Sequence, residues 1–174
     1  MHEDRHYRAI RDWYGDRRAA RSDVPLIAHI DEGLAVLGRI GASLQARQAF
    51  CLHPMLQQDE ALLASLAPDS PLLACAPDVR ALLLAMEYRA VANAYLSEHC
   101  VSDMDCIRLS PSKDVNDMLI ADKVQNRKDF EIHHASTHPR AEVLALYFGN
   151  WLRALGVDEA RYRALAAGLA GSTT

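Results

Sequence analysis

Helix-forming residues run through nearly the whole chain, and glycine and proline fall almost only where apolar periodicity breaks. No alternation of apolar and polar residues persists far enough to build a sheet. The chain is therefore expected to be all-α, folded as a compact helical bundle. Arg5 to Arg21 reads as a first helix carrying Ile10, Trp13 and Tyr14, and Ser22-Asp23-Val24-Pro25 breaks it. Ile27 to Ile40 reads as a second helix, stopped by Gly41 at a C′ position. Ser43 is a fitting N-cap for a third helix through Cys51 and Leu52, and Pro54 either interrupts that helix or starts the next one. Residues 67–77, with three prolines, form a loop. Asp78 to His99 is a long helix with Leu82, Met86, Ala90 and Ala94 on one face. After an irregular stretch at 101–112, helices follow over Asp114–Phe130 and Ala141–Leu155. Asp158 caps a last helix through Leu169.

A chain of 174 residues, half of them hydrophobic, is enough for one domain with its own core. Residues 1–170 are read as that domain and 171–174 as a fraying tail. A net charge of -4 argues against bulk nucleic-acid binding, though not against an anion pocket built from a few arginines. No apolar run approaches the length of a membrane span, and the polar start carries no apolar core of a secretory signal. Cys51, Cys75, Cys100 and Cys106 are scattered, as free thiols of a reducing cytoplasm are.

Three segments place metal-ligating side chains inside apolar helical runs: ARSDVPLIAHIDEGLAVL with His29, AFCLHPMLQQDEAL with His53, and LIADKVQNRKDF with Asp122. Apolar neighbours bury the base of such a ligand and hold its rotamer. Two histidines and a carboxylate suit Mn²⁺, Fe²⁺ or a similar divalent ion. Asp122, Asn126 and Asp129 fall at i, i+4 and i+7, on one face of their helix. Arg17, Arg18 and Arg21 form a basic cluster that serves equally as charge complement at a helix end or as a phosphate clamp. His133, His134 and His138 read as a solvated connection before Pro139.

The order and local pattern of these segments, over roughly residues 17 to 131, resemble the HD superfamily, and in particular its guanosine tetraphosphate hydrolases; similar chains are also encoded by phages. The resemblance implies an HD-type helical fold and a metal site of His29, His53 and Asp122. It also implies nucleotide contacts through Arg21 and, on the ribose side, Asn126. The chain departs from the pattern where the chemistry is done. Pro54 stands where the family has the aspartate of its His-Asp pair, and Gln57-Gln58 stand where it has a Glu-Asp pair that activates water. Glutamine orients a water but cannot take its proton near neutral pH. Asp31, Asp59 and Glu60 are the acids nearest in sequence that would have to replace the lost ligand. Two expectations follow: a divergent metal-dependent phosphohydrolase, or a pseudoenzyme that sequesters a nucleotide or docks on a protein. The apolar face around Leu144, Phe148 and Trp151 serves either as core or as a homodimer surface.

Overall fold

A computed structural model describes residues 1–20 and 22–169. Among them the regular structure is helical: α1 (Arg5–Tyr14), α2 (Ile27–Arg39), α3 (Leu44–Gln57), α4 (Asp59–Ser65), α5 (Pro71–Ala74), α6 (Val79–Ala94), α7 (Lys113–His133), α8 (Ala141–Ala154) and α9 (Glu159–Ala166). The one extended pairing is an isolated bridge between Arg18 and Pro25. The expected all-α architecture holds, and no helix among the described residues is long and apolar enough to cross a membrane. The predicted tail at 171–174 lies outside the described residues.

Local chemistry sets most boundaries. Ser43 Oγ accepts the Ala46 N–H at 3.0 Å and donates to Asp114 at 2.8 Å, so the cap of α3 also fixes the start of α7. Asp78 and Asp158 cap α6 and α9 in the same way. Three helices are shorter than the sequence suggests, α9 among them, which ends at Ala166, not Leu169. Helix α1 stops at Tyr14, not Arg21, because Gly15 turns to φ 53° and its N–H closes on Arg11. The chain then folds back on itself, with Ala19 bonded to Val24 and Leu26 to Arg17. Helix α6 stops at Ala94, not His99, where tertiary donors take the carbonyls: Trp151 bonds Tyr95 and Arg140 bonds Ser97. Pro54 does not start a new helix but sits inside α3, and the expected loop at 67–77 contains the short α5, capped by Ser70 with Pro71 in its first turn.

Helices α2, α3, α6 and α7 enclose one hydrophobic core, with α1, α8 and α9 packed against it. Phe148 and Trp151 are buried in that core and Leu144 is half-buried, so this face of α8 is not a dimer surface. The core face of α6 is also corrected: Ala81, Leu84, Ala85, Tyr88 and Ala92 are buried, while Met86 and Ala90 are exposed. Gly33 matters for the site, because α2 and α3 approach so closely there that a Cβ would lie 2.2 Å from the buried Phe50 ring.

Candidate metal centre

His29 stands in the first turn of α2, His53 in α3 and Asp122 in the middle of α7. Separated by 24 and 69 positions, the three meet at the floor of one cleft. His53 and Asp122 are buried and His29 is half-buried. Nε2 of His29 lies 3.2 Å from Nε2 of His53, and Asp122 Oδ1 is 3.6 Å from the first and 4.0 Å from the second. A triangle with those sides has a circumradius of about 2.1 Å, which is the length of a bond from a divalent first-row ion to nitrogen or oxygen.

Both histidines have their other ring nitrogen fixed. The missing N–H of Pro54 leaves the Phe50 carbonyl without its helical donor, and His53 Nδ1 donates to it at 2.6 Å. Gln125 Nε2 donates to Asp129 at 2.6 Å and to Glu32 at 3.2 Å, which turns its carbonyl toward His29; His29 Nδ1 donates to that oxygen at 2.7 Å. Each imidazole therefore directs an Nε2 lone pair inward. Two facing lone pairs at this distance, with a carboxylate beside them, are satisfied by a cation or a shared proton. The donor set fits a divalent metal on this ground.

Electrostatics around Asp122 point the same way. Lys123, itself buried, pairs with Asp122 Oδ2 at 2.8 Å and lies over the rings of Tyr147 and Trp151. Asn126 Nδ2 donates to Asp122 Oδ1 at 2.8 Å. Burial alone would push the Asp122 carboxyl up, but the Lys123 ammonium beside it outweighs that and holds it down to about 2. Burial pushes His53 down to about 3, helped by His29 and opposed by Asp122, so its ring stays neutral and available as a ligand. Tyr88 packs on the His53 ring at 4.8 Å, and burial and the Asp122 charge raise its phenol.

Above this floor the cleft encloses about 570 Å³. Tyr14, Tyr147 and Phe148 offer rings, and Ser22, Gln57 and Asn126 offer hydrogen-bonding groups. Asn126 lines the cleft and also holds Asp122. Arg21 lies outside the described residues. Arg17 and Arg18 do not line the cleft: Arg17 bonds the Tyr14 carbonyl under its own aromatic neighbours, and Arg18 pairs with Asp23. Asp31, Asp59 and Glu60 do not join the cluster. Asp31 accepts from Tyr7 at 2.7 Å, Asp59 pairs with Arg89, and Glu60 is exposed. His134 and His138, expected in a solvated connection, line the cleft.

Lys123 and Gln125 are the residues that sequence reasoning missed. Their signal was polarity inside a helix whose positions from Asp117 to Gln125 are all buried, a pattern unusual without paired partners. All four cysteines are free, as expected.

Comparisons with protein-family models, with curated proteins and with solved structures give no match to this chain. The class is therefore defined by fold and site: an all-helical protein with a candidate two-histidine, one-carboxylate metal centre at the base of a cleft.

Proposed function

We propose that this is a divergent HD-type protein that holds one divalent ion on His29, His53 and Asp122 and binds a nucleotide or another phosphorylated ligand above it, as a metal-dependent phosphohydrolase. One observation carries the reading. Three side chains from three helices bring two bare imidazole nitrogens and a carboxylate oxygen to bonding distance of a single point. The cleft above them is of the size that ligand pockets have. A bound ion would supply Lewis acidity toward a water and neutralise phosphate charge. The chain's own residues do the rest. Lys123 leaves Asp122 only Oδ1 to offer, and Asn126 fixes its direction. Tyr14, Tyr147 and Phe148 give a base or sugar an apolar wall, and Gln57 orients a water without taking its proton. Free thiols are in keeping with a cytoplasmic setting.

A second reading rests on the carboxylates. Asp122 is paired with Lys123, and Asp129, the other acid in the cleft, is paired with Lys128 at 2.5 Å and bonded by Gln125. With both acids engaged, the site suits binding without turnover, as in a pseudoenzyme that sequesters a nucleotide. Incubation with Mn²⁺ and a nucleotide panel, including guanosine tetraphosphate and the deoxynucleoside triphosphates, separates the two. Chromatographic product that disappears in Asp122→Ala supports the hydrolase. Retention of a nucleotide without product supports the binder. Neither product nor binding with metal loaded would refute both.

A further inference from the structure

Helix α6 carries two apolar faces, although only one of them is covered. Ala81, Leu84, Ala85, Tyr88 and Ala92 pack inward, chiefly on α3. On the opposite side Val79, Leu83, Met86 and Ala90 follow one another at spacings of four, three and four. All are exposed, Val79 to 70% and Leu83 to 64%. A narrow stripe in that register is the seam of a helix pair, not the solvent face of a surface helix. Exposed stripes of this kind mark interaction sites.

We propose that α6 is the contact helix of a homodimer, in which two copies pack α6 against α6 antiparallel about a two-fold axis near Leu83 and Met86. Charge selects this occupant. Arg80 and Glu87 border the stripe on the same edge, seven positions apart. In an antiparallel pair these edges meet, so Arg80 faces Glu87 of the second copy, and the two-fold repeats the pair. A parallel, in-register pair sets Glu87 against Leu82 and makes no such match. The groups that already hold these side chains leave room for it: Arg80 reaches Asp114 with one guanidinium nitrogen while its side chain is 69% exposed, and Glu87 accepts from Ser110 with one oxygen. Helix α4, joined to α6 by the Arg89–Asp59 ion pair, carries exposed Leu63, and Leu66 at its C-cap is exposed as well. The stripe alone is smaller than the roughly 800 Å² per partner of a standard interface. A small interface of this kind is expected to be weak, and the micromolar range is where its dissociation is sought. No residue of α6 lines the cleft, so the inference stands apart from the functional reading.

Sedimentation equilibrium of the full chain across the micromolar range tests it, with circular dichroism checking that each variant is folded. The wild type passes from monomer to dimer mass. Leu83→Glu, a change at an exposed position, stays monomeric. Arg80→Glu or Glu87→Arg alone weakens association about tenfold, and the two together restore it. A wild type that keeps the monomer mass throughout, or a double variant that associates no better than either single one, overturns the proposal.

Discussion

Pro54 offers neither a ligand atom nor an amide hydrogen. Without that hydrogen, the Phe50 carbonyl is free to fix His53 with its lone pair inward. A residue that cannot bind a metal thus orients a candidate ligand. Pro54→Ala returns an N–H to the Phe50 carbonyl and gains helix propensity of up to about 3 kcal/mol. The metal-free variant should melt higher than wild type, yet bind divalent metal about 10–100-fold more weakly, the usual cost of losing an outer partner. Thermal melts and a metal titration measure both. Unchanged affinity would mean that the Phe50 bond does not hold the ring. At this scale His29, His53 and Asp122 were legible as candidates from their order and spacing. Lys123 and Gln125 were not, because their roles depend on groups that only folding brings near: Tyr147 and Trp151 for Lys123, Glu32 and His29 for Gln125.

Among the elements, α2, α3 and α7 carry the ligands, and the α2–α3 contact is set at Gly33. Gly33→Ala would drive a methyl into the Phe50 ring, which also lies beside both histidines, at centroid distances of 5.6 and 4.6 Å. Overpacking here should destabilise the fold by about 1–3 kcal/mol, despite alanine's better helix propensity, and should weaken metal binding together with stability. Denaturant melts and a metal titration of the same variant check the coupling; a variant as stable as wild type would show that α2 has slack to move. Element boundaries were legible where a side chain or glycine sets them, as at Ser43, Gly41 and Asp158. The inner face of α6 was not, because an apolar residue stands on each side of that helix and periodicity then has nothing to contrast.

For the whole molecule, the buried neutral His53 couples folding to pH. Its ring titrates near 3 when folded and near 6.5 when unfolded. Between those values the unfolded chain binds the extra proton, so this contribution is complete above pH 6.5 and is lost as pH falls toward 3. The slope approaches about 1.4 kcal/mol per pH unit. Urea melts of the metal-free protein should show that decline, and His53→Gln should flatten it. An equal slope in both proteins would place the proton elsewhere.

The central claim is that His29, His53 and Asp122 form one metal site, and equilibrium dialysis of metal-stripped protein against Mn²⁺ tests it most directly. The account predicts a single ion per wild-type chain and an affinity at least about 100-fold weaker in Asp122→Ala. Absence of binding by the folded wild type, or binding that Asp122→Ala leaves unchanged, would contradict it.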